Sequence, residues 1–266
     1  SVITSIRIIE AIRYAAGLSN VSGGVAPNST PIKVINLSLK SMGSTAYTTA
    51  LCQAVSDAIA QGITVVAAAG NDQDTDPDLL RYPASCNGAI SVGATNSANE
   101  ITYYSQQNSS VDIAAPGGDW VDRDGDGIVD LVPAYINNVK INGSAGTSMA
   151  SPQVAAAIAL MYSVDSSLTP ARVENMLIAG ELTDDAGASG KDNAFGYGIL
   201  NVAKAIENIL EDTNSSTTFA YTSVPYLDYG GDNTSLDVDL QKAGSGSLSV
   251  TSLSADETTG LSYSGP

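Results

Sequence analysis

Hydrophobic and polar positions follow two periods along this chain, and the switches between them outline its elements. Val2, Ile6, Ile9, Arg13 and Ala16 share one face of a helical net, so the spacing predicts a helix that Gly17 stops. Residues 19–31 are rich in Ser, Gly, Asn and Pro and read as a loop. Lys33 to Leu39 reads as a strand. Leu51, Val55, Ala58 and Ile59 return to helical spacing, which predicts a helix from about 48 to 61 with Gly62 as its C-terminal cap. Ile63 to Ala69 is a continuous apolar run, as expected of a strand covered on both faces. Ile90 to Ala94 and Val111 to Ala115 supply two more short strands. Helices follow at about 147–162, 170–179 and 201–210, the second with Thr169 as cap and Pro170 in its first turn. Strand, helix and strand joined by short links imply an α/β fold with a parallel sheet.

The pattern changes at Glu211. A polar stretch over 211–220 reads as a linker closing a first unit of 1–210. Over 221–266 a period of two takes over: Leu236, Val238 and Leu240 alternate, as do Leu248 and Val250, with Gly244-Ser245-Gly246 between them. That predicts a β-hairpin, and the alternative is a disordered tail with chance alternation. No internal repeat is evident.

Composition narrows the function. With 11 basic against 28 acidic residues the 266-residue chain carries a net charge of -17. That argues against nucleic acid or an anionic membrane surface as partner and suits cation binding. No run reaches the roughly 18 apolar residues of a membrane span. Ser1-Val2-Ile3 lacks the pattern of a signal peptide, so export has to be inferred indirectly. There are two cysteines and no histidine. Cys52 and Cys86 allow one pairing; two reduced thiols are the expectation in a cytosolic protein and a disulfide in a secreted one.

Three stretches carry candidate chemistry. Gly143 to Leu160 begins with Gly and small polar residues and continues as a run of small apolar ones, with Ser148 at the junction. A serine at a helix start lies beside unpaired backbone amides and the positive end of the helix dipole, which suits a nucleophile whose attack creates an oxyanion. An N-cap serine on a core helix is the competing reading. Asn71 follows a strand and Gly70, at the carboxyl edge where open α/β sheets hold their sites, although a Gly-Asn turn is common anywhere. Asp122, Asp124, Asp126 and Asp130 recur at even spacing, with Gly127 where a calcium loop turns. With the carbonyl of Ile128, and Asp119 in place of the missing twelfth-position Glu, they make a candidate calcium site; a solvated acidic turn is the alternative.

The string Gly146-Thr147-Ser148-Met149-Ala150-Ser151-Pro152 resembles the nucleophile motif of the subtilisin-like serine proteases, the subtilases. Val66-Ala67-Ala68-Ala69-Gly70-Asn71, Tyr82-Pro83-Ala84-Ser85-Cys86 and Gly196-Tyr197-Gly198 extend the resemblance over roughly 1–210, in the family's order. It implies a three-layer subtilisin-like fold with a mostly parallel sheet, of which this chain looks like the later part, with both ends truncated. It also implies a secreted serine endopeptidase acting on proteins or peptides. Ser148 would be the nucleophile, with Asn71 and the Ser148 amide in the oxyanion hole. The Asp and His of the triad would precede Ser1, in a missing N-terminal portion that acts as a partner; Asp57, Asp72 and Asp112 match no family motif.

By the same resemblance Ser38, Leu39 and Lys40 would pair with the substrate backbone, though relatives usually have Gly where Lys40 stands. Ala68, Ala69 and Gly70 would wall the pocket for the residue before the scissile bond, although small residues in a buried strand need no functional explanation. Arg81 would lie at its floor and favour an acidic side chain, or else point to solvent. Gln153 replaces a common His and bears on local packing. A Cys after Tyr-Pro-Ala-Ser occurs in several secreted relatives, which implies a Cys52–Cys86 disulfide. The Gly-Asp insert resembles inserts in some secreted relatives. Tyr226 to Gly230 resembles the start of an immunoglobulin-like accessory domain, a partial β-sandwich. Two other functions remain open: an inactive binding module on this scaffold, suggested by the missing His, and a calcium-dependent adhesion protein, suggested by the acidic loop and β tail.

Overall fold

The computed structural model describes residues 5–19, 28–30, 32–40, 45–123, 127, 129–136, 140–212, 219–222 and 240–243. Helix α1 (Ser5–Ala15) leads to strand β1 (Val34–Leu37), helix α2 (Thr45–Ala60) and strands β2 (Thr64–Ala68), β3 (Ile90–Thr95) and β4 (Ile113–Pro116). An antiparallel pair, β5 (Val132–Ile136) and β6 (Lys140–Ser144), feeds the long helix α3 (Thr147–Val164). Helix α4 (Pro170–Ile178), the two-residue strands β7 (Thr183–Asp184) and β8 (Ile199–Leu200), and helix α5 (Val202–Asp212) complete the unit. The main sheet has the order β1-β2-β3-β4-β8-β7, parallel except for β7.

The buried run of β2 shows why three layers form. Side chains of a strand alternate between faces. Val65 and Ala67 join Ile9 and Ile12 of α1 and Leu51, Val55 and Ala58 of α2 in one core. Val66 joins Val92 of β3, Ile113 of β4, and Val154, Ile158 and Met161 of α3 in the other. All five β2 residues are buried, so an apolar residue suits every position. Helix α3 is apolar on most sides because it runs between the sheet and α5, and its small residues let it approach the strands closely. No helix among the described residues is long and apolar enough to cross a membrane.

Some expectations shift. Helix α2 begins at Thr45 rather than about 48, and the stretch expected as a linker over 211–220 has helix at its start and strand at its end. Leu240 opens β10 (Leu240–Ala243), which pairs antiparallel with β9 (Phe219–Thr222). Leu236, Val238, Leu248, Val250 and Tyr226 to Gly230 lie outside the described residues. The β5–β6 hairpin and the two-residue strands β7 and β8 are additions, too short or too irregular to announce themselves by periodicity.

Candidate active site

Strand β1 runs out into Ser38–Lys40, β2 into Ala69–Asp72 and β4 into Gly117–Asp119, and α3 starts among these exits. Gly146, its N-cap, donates its amide to Gly117 O at 2.8 Å. Its φ of 151° belongs to glycine, and a Cβ there would stand 3.1 Å from Asn71 Nδ2. Ser148 is the second helical residue, half-buried.

Asn71 is held from α3. Its Oδ1 accepts from the Thr147 amide at 2.9 Å and the Thr147 hydroxyl at 2.8 Å. A backbone N–H only donates, so the oxygen must face Thr147, and the orientation of the amide is decided. Nδ2 is thereby turned toward Gly146 with its protons uncommitted among the described residues. Thr147 is 1% exposed, and its hydroxyl also accepts from Gly70 N at 3.2 Å. In the first turn, the Thr147 amide goes to Asn71, and the Met149 and Ala150 amides go to Gly146 O. The Ser148 amide is left over among the described residues. Two donors therefore flank the Ser148 side chain: its own amide and Asn71 Nδ2.

Pro152 has no N–H to give Ser148 O, the carbonyl four residues back. Ser38 Oγ supplies that donor at 3.0 Å. Ser38 accepts in turn from Asn36 Nδ2 at 2.9 Å, and Ser151 Oγ donates to Asn36 Oδ1 at 2.8 Å. With both hydroxyl protons so committed, the 3.0 Å contact between Ser38 and Ser151 closes the ring without a proton of its own. The ring ties the β1 exit to the nucleophile turn. Gln153 braces the other side, donating to Pro116 O at 2.6 Å and Met149 O at 3.0 Å, so it spans α3 and β4 without disturbing the helix.

Lys40, Asp72 and Arg81 form a cluster beside this turn. Lys40 Nζ lies 2.6 and 2.7 Å from the two Asp72 oxygens, and Arg81 Nη2 lies 2.9 Å from Oδ2. Burial pushes the Asp72 carboxyl up, but the bonds and charges of Lys40 and Arg81 outweigh it and hold the group below the usual carboxylate value. Arg81 is 7% exposed, and its stem packs against Gly70, where an added Cβ would come within 2.7 Å of Cγ. It does not point to solvent: Nη2 is paired with Asp72, while Nε has no partner among the described residues. Ala68 and Ala69 are buried, Gly70 with them, and Leu39 packs into the α1–α2 core.

In the acidic loop, Asp119 is fully buried. Arg123 holds its Oδ2 through Nε at 3.1 Å and Nη2 at 2.9 Å, while Oδ1 has no partner among the described residues. Asp122 Oδ2 accepts from Gly127 N at 2.8 Å and Asp130 Oδ2 from Ser97 Oγ at 2.6 Å. Asp124, Asp126 and Ile128 lie outside the described residues, and no three acidic side chains gather as a metal cluster among the rest. The described donors alone therefore do not build the expected site. Cys52 of α2 and Cys86 of the β2–β3 connection are joined in a disulfide, Cα to Cα 5.1 Å. A groove of about 290 Å³ opens at the opposite, amino edge of β3 and β4, and its Lys191 is already paired with Asp112 at 2.8 Å.

Sequence reasoning singled out Ser148 and Asn71 but gave no role to Thr147, Asn36, Ser151 or Asp72. Thr147 was visible inside the motif. The others are polar residues of strand exits and a helix, with no spacing that links them before folding.

Comparison with known proteins gives the family. The model described as the Subtilase family matches residues 3–198. The chain is 36% identical over 200 residues to an extracellular protease of Xanthomonas campestris, covering 75% of this chain and 32% of that protein. It is 35% identical to subtilisin DY of Bacillus licheniformis over 70% of this chain and 61% of that protein. A solved protease of Pseudoalteromonas arctica superposes with a TM-score of 0.62 at 30% identity, over 77% of this chain and 59% of that one. The chain thus spans less than two thirds of each of these relatives.

Proposed function

The chain belongs to the subtilase family, and from that premise we propose that it is the nucleophile-bearing part of a secreted serine endopeptidase acting on proteins or peptides. The observation that carries this reading is the lock between Asn71 Oδ1 and Thr147, which leaves Nδ2 and the Ser148 amide without partners among the described residues, beside the Ser148 hydroxyl. Ser148 Oγ attacks the scissile carbonyl, and the two N–H groups receive the charge that develops on its oxygen. Attack needs a base to take the hydroxyl proton, and the chain has no histidine. The base and its orienting Asp therefore come from outside these 266 residues, in the portion of the relatives that this chain does not span. Strand β1, which pairs only with β2 among the described residues, offers an open edge beside Ser38 where that portion docks. Secretion is supported by the disulfide and by the name of the Xanthomonas relative.

Calcium is proposed as a structural ion of the 119–130 loop, with Asp119, Asp122, Asp124, Asp126, Asp130 and the Ile128 carbonyl as its oxygen donors. Its support is the orphaned buried oxygen of Asp119 in an oxygen-only loop, and it takes no part in the chemistry. An immunoglobulin-like unit beyond the linker remains a proposal resting on the alternation over 221–266.

The test is peptide hydrolysis by the full-length protease that contains this chain. Hydrolysis and phosphonate labelling should both vanish in Ser148→Ala, and the 266-residue chain alone should hydrolyse nothing. Hydrolysis by the isolated chain, abolished by Ser148→Ala, would reveal a base among its own residues. The lack of histidine equally favours a second reading, an inactive binding module. Full-length protein that binds peptides and never cleaves them would select it.

A further inference from the structure

Asp119 is a fully buried carboxylate on backbone that the fold holds still. Gly117 N and Gly118 N both donate to Thr95 O, at 2.8 and 3.2 Å, and Tyr104 Oη donates to Gly118 O at 2.6 Å. The Asp119 amide itself donates to Asp130 O at 2.7 Å. Its counter-ion is not held in this way. The Arg123 side chain is 39% exposed, and among the described residues its guanidinium otherwise meets Glu100 at 3.8 Å, on a side chain that is 64% exposed. Nε and Nη2 of Arg123 both go to Asp119 Oδ2, so Oδ1 stays without a partner among the described residues. Asp130 Oδ2 lies 3.3 Å from Arg123 N, and Asp119, Glu100 and Asp130 all lie within electrostatic reach of the one guanidinium. A single positive charge thus answers three negative ones, and a buried oxygen is left over. A divalent cation would answer both deficits.

We propose that Arg123 is the resident cation of this loop and that a divalent cation, calcium by the oxygen-only donors, displaces it from Asp119. This rests on reading the loop as a calcium site. Asp119 keeps its place in both states, and the Arg123 guanidinium is the part that moves, to Glu100 and solvent. Both cations draw on Asp119, so the exchange sets the calcium threshold: the apparent affinity is the intrinsic one reduced by the fraction of loops that Arg123 has left. With neither Arg123 nor metal, the buried carboxylate would have nothing to balance it. The arginine therefore neutralises Asp119 when calcium is scarce and weakens calcium binding when it is present. Asp119 follows Gly117 and Gly118, and Gly117 O receives the Gly146 amide ahead of Ser148, so a balanced Asp119 protects the frame of the nucleophile turn in either state.

The experiment uses the full-length protein freed of metal by EDTA, with terbium, which takes the same oxygen donors, as the probe for calcium. Trp120, the one tryptophan among these 266 residues, adjoins Asp119 and sensitises terbium luminescence there. The signal read is the part that disappears in Trp120→Phe, which restricts it to this loop. In the unmodified protein it should saturate with terbium and be reversed by calcium. Arg123→Gln should lower the half-saturating terbium concentration about 10-fold or more, because a charge-assisted pair no longer competes. Arg123→Lys keeps the charge but loses the two-pronged hold, and should lower it about 3-fold. In EDTA the melting temperature of Arg123→Gln should fall below that of the unmodified protein, and added calcium should close the gap. A half-saturation point unchanged or raised in Arg123→Gln overturns the inference while the calcium reading stands. No Trp120-dependent signal in any of the proteins overturns the calcium reading and the inference with it. If Arg123→Gln does not fold without metal, Arg123→Lys decides alone: an unchanged half-saturation point overturns the inference.

Discussion

Thr147→Val is the substitution that tests the site most directly, because it keeps the shape of a buried side chain and deletes one hydroxyl. That hydroxyl accepts from Gly70 N and donates to Asn71 Oδ1. Two effects separate. The Gly70 amide is left buried and unpaired, which costs about 1–3 kcal/mol of stability. At about 2–4 °C per kcal/mol for a domain of this size, the melting temperature should fall by about 2–12 °C. Asn71 keeps the Thr147 amide as an anchor but loses a bond worth about 0.5–1.5 kcal/mol, so its productive orientation is less populated by about 2- to 13-fold. In the full-length protease kcat should fall by that factor with KM nearly unchanged, since the lost contact acts only where the oxyanion forms. Asn71→Ala should cost far more, about 10²- to 10³-fold, a figure established on a subtilisin and carried over to this relative. The two losses should not multiply: in an Asn71→Ala background, Thr147→Val should leave kcat unchanged while still lowering the melting temperature. An equal fall of kcat in both backgrounds would refute the claim that Thr147 acts through Asn71.

The Cys52–Cys86 disulfide closes a loop of 34 residues in sequence separation; a double Cys→Ala variant should lose about 4 kcal/mol, seen by calorimetry as a fall of about 8–15 °C, and a shift under about 2 °C would mean the unfolded loop is already restrained. If calcium holds the acidic loop, EDTA should speed limited proteolysis first between Asp119 and Pro133, and identical cleavage with and without chelator would count against the ion. Because Asp72 is held below its ordinary pKa, the native state binds fewer protons there. Its contribution to stability should be full above about pH 4 and fade as pH falls through the lower native value. Denaturation of the unmodified protein and Asp72→Asn across that range should converge at the acid end, and a difference that grows with acid would reverse the sign of the argument.

Periodicity read along the chain was enough for the helices and the parallel strands, because each depends on neighbours within one or two turns or on burial of a whole strand, while the layered arrangement was what the resemblance implied. The motif around Ser148 was legible for the same reason: nucleophile, tight glycine and helix start are contiguous in the chain. Asn71 stands after a strand, but its place in the oxyanion hole came from the resemblance, since a Gly-Asn turn is common anywhere. Elements of two residues, such as β7 and β8, have too few positions to show a period, and Pro133 inside β5 reads against a strand.

The pairing of Asn71 with Thr147, the Asn36–Ser38–Ser151 ring and the pairing of Arg81 with Asp72 were decided only by folding. Each joins residues far apart in the chain, and nothing in sequence spacing sets the distance between them; the strand order, the register Asn36↔Val66 and Leu37↔Ala67, and the seat of α3 on the sheet do. Arg81 is the clearest case. As a letter in the chain it is a lone cation, and its partner is set only once the chain has folded. Lys40 then reaches Asp72, Asp72 reaches Arg81, and a buried charge is neutralised where solvent is too scarce to do it.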